Sequence, residues 1–252
     1  MSNDPASDTG ELSQAFQRIL VGRPVYRLEY TSDKCVGKKV FDLGCLDETA
    51  YTVKQGTSAN YWLHRRIAEK AQWVVGIDNS PLVPDEGLQT FENAVIVRAD
   101  VFDLLSVEAT LNGEHHTVAD ADVIVAGELI EHLPNVMQFL SQFKSEQLPG
   151  KLLVMSTPNA TSAYNSIMAL FRWESCHEDH IGVYSYKVLS NVLKKCGFRQ
   201  FRIVPYHLSI PEIQIKSRGM IRLASIMFEK AVRVIEWMFP LKASGYIIEV
   251  HL

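Results

Sequence analysis

The feature that most constrains this chain is a repeating unit: a short, almost uniformly apolar run, then an acid or a glycine, then a helix-length stretch. The runs KKVFDLG (38–44), WVVGID (73–78), AVIVRAD (94–100), ADVIVAG (121–127) and GKLLVMST (150–157) show little polar alternation. Strands of that kind are buried on both faces, which requires helices on both sides of the sheet. Residues 61–71, 136–144 and 186–196 supply the helical periodicity, and Gly197 stands where a left-handed residue closes a helix. FRQFRIVP (198–205) and GYIIEVHL (245–252) read as two further strands. Strands alternating with helices imply right-handed crossovers and a mostly parallel sheet, so the expected fold class is α/β, doubly wound, with seven strands.

Composition narrows the setting. With 252 residues, 47% of them hydrophobic and 21% charged, the chain suits one large globular domain over 11–252. Residues 1–10 (MSNDPASDTG) are polar and read as a disordered tail rather than a leader, and 11–19 can open a helix. The net charge of −4 supplies no global basic field, so nucleic acid is not the expected partner, although a local basic groove stays open. Cys35, Cys45, Cys176 and Cys196 are scattered without a C-x-x-C pair, so disulfides are not expected and a cytoplasmic setting is. No apolar run reaches the roughly 18 residues of a membrane span.

Four carboxylates fall at ends of apolar runs: Asp42, Asp78, Asp100 and Glu128. Any one of them is ordinarily a helix cap or a solvated loop residue. Four in register read as the wall of a ligand site, because open α/β sheets bind ligands beyond the carboxyl ends of their strands. Asp78 would accept the two hydroxyls of a ribose and Asp100 an exocyclic amine, while Gly44 permits a sharp turn.

The segments VFDLGC, VVGIDNS, VRADVFD, GELIEHLPN and PGKLLVMSTPN, in that order, resemble the successive core motifs of class I S-adenosylmethionine (SAM)-dependent methyltransferases. GELIEHLP followed by STPN is the most discriminating pair. With HEDHIGVYSYKVLSNVLKKCGF (177–198), they resemble the group containing ubiquinone, sugar and natural-product O-methyltransferases. The resemblance implies a Rossmann-like sheet with a helical cap, at 159–185 and 208–244, and SAM as cofactor. It implies that Asp42 and Gly44 approach the methionine end, that Cys45 also contacts the cofactor and that Asp78 takes the ribose. Asn79 would flank the adenine, Asp100 and the Val101 amide would read its edge, and the Gly127 carbonyl would meet the ammonium. The chain departs from the usual glycine-rich first motif, carrying Leu46 and Glu48 where glycines are expected. Asp78 also lies well beyond the spacing of about 20 residues found in compact nucleotide units. Residues 47–60 must therefore form an extended loop, with Tyr51, Trp62 or His64 as substitutes for lost backbone contacts, or else a surface insertion. Absence of G-x-G-x-x-G argues against a dinucleotide.

Methyl transfer to oxygen calls for a group that takes a proton, and histidine suits neutral pH. His132, His180 and Glu128 are the candidate catalytic residues. Helical spacing would place Glu128, Glu131 and His132 on one face. Together with His180 they form a divalent-cation set of the kind found in small-RNA 2′-O-methyltransferases, but EHLP also occurs in metal-free enzymes, and no metal is assigned. His115 and His116, in a polar loop, read as solvated. Cys176 and His177 lack a second cysteine at zinc spacing. Residues 215–239 form a basic, apolar amphipathic segment that reads as a lid or dimer face, or as a peripheral membrane contact. The leading expectation is O-methylation of a small-molecule acceptor in natural-product or glycan metabolism. The alternatives are a metal-dependent RNA 2′-O-methyltransferase and an inactive SAM-fold binding protein.

Overall fold

A computed structural model describes residues 18–47, 60–144 and 146–252. The strands are β1 (Lys39–Leu43), β2 (Trp73–Asp78), β3 (Leu88–Phe91), β4 (Ala94–Arg98), β5 (Glu108–Leu111), β6 (Glu114–Thr117), β7 (Val123–Gly127), β8 (Leu152–Pro158), β9 (Phe201–Tyr206) and β10 (Gly245–His251). The helices are α1 (Arg27–Asp33), α2 (Leu63–Ala68), α3 (Val136–Ser141), α4 (Ala163–Leu170), α5 (Tyr186–Lys195), α6 (Pro211–Lys216) and α7 (Gly219–Met238). The expected tail, 1–10, lies outside the described residues, as does almost all of the 47–60 loop.

All seven expected strands form, with ends shifted by at most three residues, but the main sheet has eight strands in the order β3-β4-β2-β1-β7-β8-β10-β9. The addition is β3, an antiparallel edge strand on β4. β5 and β6 make a separate hairpin turned by Asn112 and Gly113, both at positive φ. That hairpin corrects the reading of His116 as solvated: it is buried and stacks on Trp73 with ring centroids 4.5 Å apart. His115 is exposed, as expected.

Strand parity decides what each face carries. Phe41 and Leu43 join the larger core under the hairpin, α3 and α5, whereas Val40 points to the face packed by Ile67 of α2 and Cys35. Asp42 shares the parity of Val40 and so is directed toward α2. β1 lies between β2 and β7. The chain builds outward from β1 through β2 and β4, then resumes on its other side at β7, which makes the carboxyl ends of β1 and β7 the switch point. Segments 159–185 and 208–244 both leave the same end of the sheet. They pack together through Ala163, Leu208 and Val232, with Tyr164 against Phe228.

Candidate active site

At the switch point, β1 ends in Gly44 with φ 61°, and an added Cβ there would lie 2.6 Å from the Leu129 side chain. Across the crevice, an added Cβ on Gly127 would lie 2.5 Å from Leu63. Bare backbone at both strand ends, roofed only by movable leucine tips, is a cradle that a ligand can share and a Cβ would fill. Asp78 closes β2, and its two carboxylate oxygens accept the amides of Leu46 (2.8 Å) and Ser80 (2.9 Å). Asp78 therefore ties the divergent first loop to the end of β2. Asn79 follows it, exposed.

Asp42 lines neither of the two cavities described below. It is buried, and its Oδ2 lies 2.9 Å from Nδ1 of His64, whose Nε2 lies 3.0 Å from the Thr90 hydroxyl. Burial raises the Asp42 carboxyl, and the hydrogen bond and charge of His64 oppose that rise. Gly76 makes room for this ring: an added Cβ would come within 3.1 Å of His64 and 2.6 Å of the Cys45 sulfur. Cys45 is buried, and its carbonyl accepts the Trp62 indole at 2.7 Å. Burial, with Asp42 and Asp78 nearby, holds the Cys45 thiol in its neutral form. Trp62 thus bonds the Cys45 carbonyl and His64 pairs with Asp42, whereas Tyr51 lies outside the described residues.

Asp100 caps the 3-10 turn 101–106 by accepting the Phe102 amide at 2.8 Å, and Val101 opens that turn. Asp100 lines a cavity of about 530 Å³ beside Asp85 and Arg98. A larger cavity of about 1220 Å³ opens above β7 and β8, and Glu128, His180, Arg27, Tyr206 and Trp173 line it.

Residues 128–135 are not helical, which corrects the expected shared helix face. Glu128 has φ 54°, and its amide bonds the carbonyl and the hydroxyl of Ser156. Pro134 excludes a regular continuation. Tight turns bring the residues together instead. The Glu131 carbonyl accepts the amides of Ile181 (2.9 Å) and Gly182 (3.1 Å), which clamps the 177–182 segment against 131–132. As a result Glu131, His132 and His180 each place a ligand atom within 4.8 Å of the others. The rings of His132 and His180 lie edge to face at 4.6 Å.

Glu131 is fully buried, and among the described residues neither of its carboxylate oxygens meets hydrogen-bond geometry, the nearby Thr157 hydroxyl included. Burial, reinforced by the neighbouring Glu128, pushes its carboxyl far above the usual range. Burial and the flanking His132 and His180's other neighbour, His177, lower the His180 pKa, so its imidazole is neutral near pH 7. Glu128 stands beside this trio and outside it, accepting the Ser156 hydroxyl at 2.9 Å and the Tyr206 hydroxyl at 3.0 Å. Burial and Glu128 raise Tyr206 well above its ordinary value, which keeps it a donor.

Ser156, Tyr206 and His177 escaped the sequence reading. Ser156 had a signal, lying inside STPN. Tyr206 had none, since a tyrosine ending a strand is ordinary core. His177, discounted with Cys176, sits 5.7 Å from the His180 ring and 6.4 Å from the His132 ring.

Residues 28–201 match the family model Methyltransf_23, a methyltransferase domain. A small RNA 2′-O-methyltransferase of Caenorhabditis elegans is 32% identical over 117 residues, 45% of this chain and 24% of that protein. The chain thus spans about a quarter of the length of this relative. The fold is similar to that of a SAM-dependent methyltransferase from Archaeoglobus fulgidus, with TM-score 0.50, 16% identity and coverage of 90% of this chain and 91% of the other. It is also similar to the structure of the small RNA methyltransferase HEN1, with TM-score 0.53, 15% identity and coverage of 93% and 27%.

Proposed function

From the premise that this chain belongs to the methyltransferase-domain family and is a SAM-dependent methyltransferase, we propose that it methylates a hydroxyl held at the Glu131–His132–His180 cluster. The observation that carries this reading is the orphaned Glu131 carboxylate. A buried acid without donors is costly unless a cation or a proton satisfies it. Two imidazoles and a carboxylate at mutual ligand distance suit a divalent cation. When bound, such a cation would orient an acceptor with adjacent hydroxyls and ease deprotonation of one of them.

The chain's own groups would do the rest. As cation ligands His132 and His180 have no free lone pair and would position the acceptor, whose hydroxyl proton would leave to water as its oxygen takes the methyl group from the sulfonium; without a cation, the free ring nitrogen of His180, or else of His132, would take that proton. Glu128, fixed by Ser156 and Tyr206, orders the wall between this cluster and the Gly127 backbone. SAM supplies the methyl group. Asp78 fits its ribose, and the bare backbone at Gly44 and Gly127 fits its amino-acid end once Leu129 and Leu63 shift. Asp42, turned toward His64, supports β1 rather than touching the cofactor. Asn79, Cys45, Asp100 and Val101 frame the adenosine side.

The acceptor we favour is a small molecule, since the large cavity is partly aromatic, with Tyr164, Trp173 and Tyr206 in its wall. A terminal ribose of RNA is the second reading, favoured by the 117-residue likeness to a small RNA 2′-O-methyltransferase. The test is transfer of labelled methyl from SAM to hydroxylic small molecules and to a short RNA, with a 2′-deoxy-terminated RNA as control. Loss of transfer in chelator and recovery with Mn²⁺ are expected. Full activity in chelator would remove the cation. Labelling of the RNA but not its deoxy control would select the ribose.

A further inference from the structure

The helix α7 is apolar on both sides: Val232, with Phe228 and Ile235, packs inward. Its inward face carries two acids. Glu236 accepts His207 at 2.9 Å, the Leu208 amide at 3.0 Å and the Ser244 hydroxyl at 2.6 Å. Glu229 accepts the Ile210 amide at 3.1 Å and Gln214 at 2.7 Å, and pairs with Arg233. Its outward face carries Met220, Leu223, Met227, Val234 and Met238, between 49% and 87% exposed. Spaced by three, four, seven and four residues, they form one stripe about 27 Å long at 1.5 Å per residue. Exposed apolar surface of that extent on a soluble fold marks an interaction site.

Charge identifies the occupant. Along α7 itself both acids, Glu229 and Glu236, are turned inward and buried, whereas Arg222 and Lys230 are exposed, as is Arg218 at its N-cap. This local sign opposes the net charge of −4. Two copies facing each other across the stripe would oppose these cations, which disfavours a self-complementary contact. The exposed residues Leu170, Phe171 and Trp173, just beyond α4, extend the apolar surface, and Trp173, Arg172 and Ile213 also line the large cavity. No helix among the described residues is long and apolar enough to cross a membrane.

We infer that α7 lies on the surface of an anionic lipid bilayer, its methionine-rich stripe among the acyl chains and Arg218, Arg222 and Lys230 at the headgroups. Such docking combines apolar burial with attraction to acidic lipid. It also sets the mouth of the large cavity at the bilayer, which suits an acceptor with an apolar portion. That last consequence rests on reading the cavity as the acceptor site, whereas the docking does not.

Flotation of the full chain with lipid vesicles tests it. Binding to vesicles of mixed phosphatidylserine and phosphatidylcholine is expected, with none to phosphatidylcholine alone, and it should weaken as salt rises. Met220→Ser/Leu223→Ser/Met227→Ser should lower the bound fraction about ten-fold, as should Arg218→Gln/Arg222→Gln/Lys230→Gln. All of these positions are exposed, so thermal melting and calorimetric SAM affinity should match the wild type. Because neither measurement depends on turnover, a failed acceptor reading leaves this result standing. No flotation of the wild type overturns the inference, as does a serine variant that floats equally well. So does a dimer in sedimentation that this variant dissociates without any vesicle binding.

Discussion

Asp42 and His64 show how one residue replaces a motif. Where a glycine-rich loop would hug its ligand, this chain has Leu46, and the first strand is braced from below by a buried imidazole. Removing one partner of a buried pair leaves the other without compensation, at about 3 kcal/mol. His64→Ala should therefore lower the urea midpoint by that equivalent, and an unchanged midpoint would show that the pair contributes nothing. Asp78→Ala should raise the dissociation constant for SAM about ten-fold in calorimetry, in line with a charged hydrogen bond of about 1.5–3 kcal/mol. His132→Ala should instead lower turnover with SAM affinity intact. Glu249 gives a pH signature. Burial pushes its carboxyl up, but Lys34, 2.7 Å away, and Tyr30, 2.8 Å away, outweigh burial and hold it below the ordinary range. A depressed carboxyl stabilises the fold above its unfolded value of about 4.3, and that contribution vanishes as pH falls through the folded value. The stability gap between wild type and Glu249→Gln should thus be full at neutral pH and close below about pH 4, as read by unfolding at several pH values. At this scale the sequence singled out residues by type and spacing, and strand parity decides which way they point. Asp42 was legible as special, but strand parity turns it away from the crevice.

Elements were legible where both faces are apolar. β1, β2, β4, β7 and β8 announce themselves because helices cover both sides of the sheet. β3 does not, since LQTF is four residues long, partly exposed and paired on one side only. The β5–β6 hairpin left a signal in Asn112-Gly113, a pair suited to two consecutive left-handed residues. The histidines beside it masked that signal, because their burial depends on Trp73, far away in sequence. The α7 helix was legible as amphipathic, but not its orientation: the inward acids depend on donors from His207, Leu208 and Ser244, which no local pattern encodes. Glu236→Ala strands those donors and should cost about 3 kcal/mol by chemical denaturation. A loss under about 0.5 kcal/mol would show that water replaces the carboxylate readily.

At the scale of the molecule, the alternation of strands and helices was enough to place the ligand crevice, since handed crossovers leave few ways to wind such a sheet. The meeting of Glu131, His132 and His180 was legible only through the family resemblance, because it depends on the Glu131 carbonyl clamping a segment some fifty positions further along. The order β8-β10-β9 carries another consequence. β10 pairs antiparallel with both neighbours, and β9 meets the sheet through β10. Deleting 245–252 should strip hydrogen-exchange protection from β9 amides while β1 and β2 keep theirs, and continued protection of β9 would show that it pairs with β8 directly. A chain emerging from the ribosome must therefore hold β9 in reserve, with the rim of β8 open, until β10 arrives. For that interval the nascent sheet offers a bare strand edge to any passing β-segment, which makes β10 the strand that seals this rim against misassembly.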